Sequence, residues 1–452
     1  MFRQRTTLCL LSLLALAGPV PALASPISAA EADELRAQLA ALKAQVEALE
    51  ARLAAPGPTA VPAPLPAPEA KPVTAPTPAT EISWKGAPEY KHKDGWSFKP
   101  RGRLQLDAGY VDAPDGLSIV GEGFASRARR IRLGFEGTMP GGFGYKVEAD
   151  LASGNADFAD AFLSYTDDGT TITIGQHDNF QGLERISTSN VGSFMERASF
   201  NEAFNFERKL GLSLTQEQGP WLLQAGVFTD ALGDLNVNGN SSIGVDGRVV
   251  YAPKLGDAQL HLAVSGHWLN IPVVQPVTRY RSRPQIRTTD IRFVSTPNLS
   301  VDEERNWGAE AALIAGRFHA VAELHWLTAS VPGLADPTLF GASVEAGLFL
   351  TDDRRGYGKG VFRAVKVKRP VGQGGAGAWQ INARYDHVDL SDGPVIGGRQ
   401  SAYMASLIWT PIDQVRFLLN FARLDMRDAA VAVAGARDYA VQTMGLRAQL
   451  SF

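Results

Sequence analysis

Alternation with a period of two is the feature that most constrains this chain. From about Ser97 to Phe452 the sequence runs in short alternating segments broken by clusters of Gly, Asp, Asn and Pro. "GRLQLDAGYV" places Leu104, Leu106, Ala108 and Tyr110 on one face and Arg103, Gln105 and Asp107 on the other. "GYKVEADL" sets Tyr145, Val147, Ala149 and Leu151 against Lys146, Glu148 and Asp150. "RFHAVAELHWL" and "AWQINARYDHV" do the same, with His319, Glu323 and His325 on one polar face and Gln380, Asn382, Arg384 and Asp386 on another. Side chains of a strand point to opposite faces in turn, so each segment reads as a strand with one apolar and one charged face.

Two all-β architectures give this alternation: a soluble sandwich and a membrane barrel. The ends of the chain favour the barrel. Arg3 and Arg5, the apolar stretch Leu8 to Ala17 and "ALA" at Ala22 to Ala24 read as an export leader over residues 1–24. The apolar run is too short for a helical span, which needs roughly 20 residues. In "AVQTMGLRAQLSF" the residues Ala440, Gln442, Met444, Leu446, Ala448, Leu450 and Phe452 share a face. A closing aromatic that would face lipid is similar to the assembly signal of bacterial outer-membrane proteins. Roughly sixteen segments of this kind are legible, an even number large enough to enclose an aqueous lumen.

Ahead of the strands lie two other textures. Within residues 25–53, Leu35, Leu39, Leu42, Val46, Leu49 and Leu53 are spaced four, three, four, three and four apart, the seam of a short coiled coil. A Pro- and Ala-rich stretch opens the segment 54–96, which is expected to be a linker. Cys9, the sole cysteine, falls in the leader, so no disulfide or cysteine metal site is expected in the exported chain.

Three stretches carry a family resemblance: "RGRLQLDAGYV", "FASRARRIRLGFEGT" and "DFADAFLSYTDDGTTITIGQHDNFQGLERISTSNVGSFMERA". In order and content they resemble the phosphate-selective porin O and P family, whose members pass phosphate or polyphosphate. The likeness continues through "WLLQAGVF", "RSRP" and "RFVST". It implies an all-β fold: a 16-stranded antiparallel transmembrane β-barrel over residues 97–452, preceded here by the short coiled-coil helix. It also implies a homotrimer in the outer membrane and an inward-folded third loop narrowing the pore. The segment from Asp178 to Asn205, poor in β-branched runs, is the expected constriction loop.

The resemblance also implies which side chains form an anion path. Arg103 matches a pore-facing arginine, and alternation agrees. Arg129 and Arg130 match an adjacent pair at the constriction. Alternation puts Arg130 and Arg132 inside but Arg129 with Ile131 and Leu133, so only a bend at the strand start would bring Arg129 in. Arg185 stands where the family carries a lysine, and Arg197 matches a conduction-path arginine. Arg281, Arg283 and Arg292 match rungs of a ladder at the mouth, and Arg279 and Arg287 would extend it. Ala159 occupies a position that is acidic in some members, with Asp160 following. That displacement puts strict orthophosphate preference in doubt.

The ladder lies in "TRYRSRPQIRTTDIR", five arginines with Asp290 as the sole acid. The chain as a whole is acidic: formal net charge is −3, and −5 once Arg3 and Arg5 leave with the leader. That argues against nucleic-acid binding but leaves room for a local basic channel. Guanidinium groups replace the water an oxyanion sheds, through charge-assisted and often bidentate hydrogen bonds. One such pair at about 4 Å gains only ~1 kcal/mol in bulk water and several-fold more where solvent is partly excluded. A series of rungs therefore allows both capture and escape, which conduction requires.

Enzyme signatures are weak. "GQGGAG" at Gly372 to Gly377 has no helix after it, and neither an HExxH nor a GxSxG motif occurs. The chain reads as a passive channel without a cofactor or catalytic set. Its partners would be phosphate or polyphosphate anions, outer-membrane lipid and lipopolysaccharide. A general anion or organic-acid porin, and a barrel that tethers the envelope through its periplasmic coiled coil, remain open alternatives.

Overall fold

A computed structural model describes residues 80–84, 86–116, 121–235, 241–272 and 277–452, with helical positions 37, 38, 40, 43–47 and 51. The chain divides into two compact units, Met1–Pro76 and Thr77–Phe452. In the first unit Val46, one of the seam residues, is helical and exposed. The leader and the rest of the seam lie outside the described residues.

In the second unit nineteen strands form one hydrogen-bonded sheet. Three are short additions: Thr80–Trp84, Pro88–His92 and Lys254–Leu255. The other sixteen, in chain order, are β1 Ser97–Asp112, β2 Gly123–Met139, β3 Phe143–Asp150, β4 Asp157–Asp167, β5 Thr170–Asp178, β6 Arg208–Gln218, β7 Trp221–Phe228 and β8 Ile243–Tyr251. They continue as β9 Ala258–Asn270, β10 Glu303–Ala315, β11 Phe318–Ser330, β12 Thr338–Phe349, β13 Ala378–Asp389, β14 Arg399–Ile412, β15 Val415–Arg427 and β16 Tyr439–Ser451. Each pairs antiparallel with its neighbour, and β16 closes on β1 in a register that sets Leu450 opposite Leu104 and Arg447 opposite Asp107. Closure leaves no open edge in the membrane. No described helix is long and apolar enough to cross a membrane.

The faces follow the alternation. Met444, Leu446 and Leu450 are exposed outward, while Thr443, Arg447 and Gln449, of the opposite parity, are buried toward the lumen. Trp379, Trp409 and Phe417 stack in a row on the outer wall, where aromatics anchor a barrel at the bilayer interface. Phe452 is half-buried across Gly102, where a Cβ would sit 2.2 Å from its ring.

The composition-based linker 54–96 ends differently from expectation. Thr80–Trp84 pairs antiparallel with Pro88–His92, and Tyr90 and Lys91 continue onto Phe98 and Ser97 of β1. The Pro/Ala texture stops before this point, and "EISW" and "PEYKH" alternate as strands do.

At one rim most turns are short. At the other, loops are long, and two fold inward: the third loop, 179–207, and the fifth, in its described part 277–302. Phe200, Phe204 and Phe206 of the third loop pack with Tyr280, Ile286 and Phe293 of the fifth and with Leu327 and Leu339 of the wall. This apolar core lies inside the barrel and narrows it. At the short-turn rim the connection 350–377 also folds in, placing Phe362 against Leu183 and Val191 of the third loop.

Candidate functional site: an arginine-lined cavity at the third loop

The third loop is pinned across the lumen by groups the alternation points inward. Its bend at Gly182 (φ +114°) lies so close to Glu323 and His325 that a Cβ would meet both at about 3 Å. Glu323 Oε1 accepts the Glu184 N–H at 2.9 Å. Arg384 donates to Glu184 at 2.6 Å and to Glu345 at 2.7 Å. Arg416 donates to the carbonyls of Asn190 and Gly192, and Arg447 to that of Met195. Asp386 accepts the Ser199 N–H at 2.9 Å at the start of the short helix Ser199–Ala203. Gly341 and Gly445 supply room: a Cβ there would strike Phe200 and Met195. The wall from β13 to β16 thus uses its arginines to hold the loop.

Between the loop and the opposite wall, β1 to β6, lies a cavity of about 550 Å³. Ten arginines line it against five carboxylates. Of the eleven arginines assigned from sequence, Arg103, Arg129, Arg130, Arg132, Arg185, Arg197, Arg283 and Arg287 are among them. Arg279, Arg281 and Arg292 are not. Arg279 is exposed and donates to Asn298 Oδ1 at 2.6 and 2.9 Å. Arg281 is exposed in the short pair Arg281–Ser282 on Val294–Ser295. Arg292 reaches Glu202 at 3.0 Å.

The disagreement over Arg129 resolves in the backbone. Gln105 of β1 pairs with Arg130 and Leu106 with Ala128, so Arg129 is the extra residue of a bulge. The bulge turns both members of the pair toward the cavity. Arg129 then forms a bidentate pair with Glu196 of the third loop at 2.8 and 3.0 Å. A second bulge does the same one strand pair away. Glu148 pairs with Asp160 and Ala149 with Phe158, leaving Ala159 extra. Asp160 receives Lys146 at 2.6 Å and Arg208 at 2.7 Å, so the acid displaced by one residue in sequence still sits beside the basic cluster.

Most of the cavity's arginines have carboxylate partners. Arg132 binds Glu148 and Asp150, Arg185 binds Asp178, and Arg208 binds Asp160 and Asp178. Among the described residues Arg103, Arg130 and Arg197 have none. Arg103 donates to Ser189 and Thr188 at 3.0 Å each. Arg130 donates to Gln105 Oε1 at 2.7 Å. Arg197 donates to the carbonyls of Glu184 and Ser187 at 2.8 and 2.9 Å. The buried Nε groups of Arg103 and Arg185 meet no acceptor in the described structure. Arg130 and Arg197 also line a second, narrow space of about 30 Å³ between the third loop and strands β11 to β13.

Burial shapes the charges on the loop. It would raise the Glu196 carboxyl, but the Arg129, Arg447 and Arg287 guanidiniums outweigh it and hold Glu196 well below the usual carboxylate range. Burial, then the neighbouring Arg185, brings Arg197 down to about 9, so it remains a cation at neutral pH. No grouping of His, Cys, Asp and Glu among the described residues fits a metal ion.

Sequence reasoning did not assign Arg127 and Arg208 to the cavity. Arg127 shares the parity of Arg129 and faces the cavity because the bulge shifts the register before Arg130, so alternation counted back from Arg130 and Arg132 would have placed it outside. Arg208 opens its strand, where few residues precede it to fix a parity.

The comparisons with known proteins agree with this architecture. A protein of Caulobacter vibrioides, itself uncharacterised, is 45% identical over 380 residues, 82% of this chain and 77% of its own length. OmpT, an outer-membrane protein of Vibrio cholerae, superposes with a TM-score of 0.52 at 10% identity, covering 80% of this chain and 98% of that one. An anion-selective porin from Comamonas acidovorans matches with a TM-score of 0.49 at 13% identity, over 79% of this chain and 100% of that one. At such identity the OmpT likeness speaks to the barrel fold alone. The sequence profile of phosphate-selective porin O and P matches residues 98–452, which span the whole barrel, and the chain therefore belongs to the phosphate-selective porin O and P family of outer-membrane barrels.

Proposed function

We propose that this barrel is a passive, anion-selective pore for phosphate or polyphosphate, not an enzyme, and that the cavity at the third loop is where the anion is held in transit. One observation carries the reading: ten arginines face five carboxylates there, and Arg103, Arg130 and Arg197 have no carboxylate partner among the described residues. A guanidinium held by neutral acceptors keeps its full charge for a visiting oxyanion. The cavity sits on the loop that narrows the lumen, so the captured anion stands at the throat. Single rungs in series keep each step shallow enough for release.

The same proposal places three copies in the outer membrane, with residues 1–24 as a leader, 25–53 as a periplasmic coiled coil and 54–96 as the connection to the barrel. Titrating phosphate into a planar bilayer bathed in KCl tests the pore itself. Chloride current blocked by millimolar or lower phosphate is the expected result. A chloride-selective pore indifferent to phosphate would leave a general anion channel.

A further inference from the structure

Two carboxylates of the third loop stand among the arginines as if they were the cargo. Glu202, on the short helix Ser199–Ala203, is held by three guanidiniums of the fifth loop: Arg283, Arg292 at 3.0 Å and Arg287 at 3.5 Å. It also accepts the Arg283 backbone N–H at 3.2 Å. Glu202 lines the cavity on the ladder side. Of these three, Arg283 has a further carboxylate in Asp290, and Arg287 reaches Glu196 at 3.4 Å. The seat that three converging guanidiniums would offer an oxyanion is already occupied.

From this we infer that Glu202 is a resident counter-anion that makes the mouth of the pore discriminate by charge number. The inference rests on the anion-pore reading above. With Glu202 in place, the three arginines present a reduced net charge to an ion arriving at the mouth. A monovalent anion offers no more charge than the carboxylate it must displace and loses more hydration doing so. A divalent or polyvalent oxyanion brings more charge and more acceptor oxygens than one carboxylate, and it takes over the guanidinium donors. Glu202, covalently tethered, stays nearby and recaptures them, which speeds the anion's release toward the throat. The cargo class is thus multivalent oxyanions, and Glu202 sets both the threshold for capture and the ease of escape.

The test uses the full-length pore in a planar bilayer. With Glu202→Gln the three guanidiniums lose the one carboxylate they share, so the half-blocking phosphate concentration should fall about tenfold, the scale of one charge-assisted hydrogen bond. Chloride preference, read from the zero-current potential, should rise in the same variant. The wild-type pore gives a second readout independent of that variant's assembly: sulfate should block chloride current at a concentration at least about tenfold lower than nitrate does. Unchanged block in Glu202→Gln, or nitrate blocking as well as sulfate, overturns the inference and leaves the anion pore standing. A wild-type pore that prefers cations, or is blind to phosphate and sulfate alike, removes both.

Discussion

Arg130 and Arg248 are both arginines on the lumen face of a barrel strand, and both are buried, yet they play opposite parts. Arg248, on β8, donates to both oxygens of Glu310 at 2.6 and 2.9 Å, and the two side chains are wholly inaccessible. Arg248 also donates to Gln224 Oε1 and the Gly360 carbonyl, and His261 hydrogen-bonds Glu310. Arg130, on β2, has Gln105 and open space. A lumen arginine thus presents an uncompensated charge only where no carboxylate neutralises it. The β8–β10 wall invests its charges in a closed pair that seats the inward connection 350–377. The β1–β6 wall, with the loop residue Arg197, leaves charge uncompensated at the cavity. Counting basic residues on the lumen face would not separate the two.

The largest effect should come from removing the throat cations. Arg130→Ala with Arg197→Ala should weaken phosphate block by at least tenfold, since each lost charge-assisted hydrogen bond is worth ~1.5–3 kcal/mol. The single-channel titration that measures it should also show reduced chloride preference. Glu310→Gln strikes the other wall. It leaves Arg248 buried without its carboxylate, a change that costs ~3–5 kcal/mol, so the barrel should lose its heat-resistant gel mobility at a lower temperature. Selectivity should stay as in wild type, because Arg248 lines no part of the cavity. If Glu310→Gln instead shifts selectivity, the division between the two walls is wrong.

Acidity sharpens the comparison further. Glu196 is held low by its arginines, so its pairing persists above the usual carboxylate range and through it, and fails only as pH falls below its depressed value. Arg197 keeps its proton until pH approaches about 9. The chloride zero-current potential should therefore be flat between about pH 5 and 8. A fall in that window would show that another group controls the throat. The smallest effect is expected for Arg279→Ala. Arg279 is exposed and hydrogen-bonded to Asn298, away from the cavity. Conductance and phosphate block should change less than twofold.

Much of this was legible in the sequence. Alternation alone put Arg103, Arg130, Arg132 and Arg384 inside, because a closed barrel makes parity global. Arg129 was misplaced by parity, since a bulge adds a residue that no period-two rule foresees. Ala159 looked like the loss of an acid for the same reason, until the second bulge placed Asp160 beside Lys146 and Arg208. The pairings of the ladder were not legible. Glu196 lies 67 residues from Arg129 and 251 from Arg447, and only the folded loop brings them together. Nor could the arginines of β13 to β16 be recognised as supports for the third loop, because their partners there are backbone carbonyls, which carry no side-chain signature, and carboxylates about 200 residues or more away in sequence. Arginine type and lumen parity marked the candidates, and carboxylate distance sorted them.

The most direct measurement is to locate the anion. Crystals of the full-length pore soaked in arsenate, which shares phosphate's shape and charge, would reveal arsenic by its anomalous scattering. The expected result is a peak inside the cavity within hydrogen-bond reach of Arg103, Arg130 and Arg197. Arsenic found only on the outer loops around Arg279 and Arg281, with that cavity empty, would contradict the assignment of the throat.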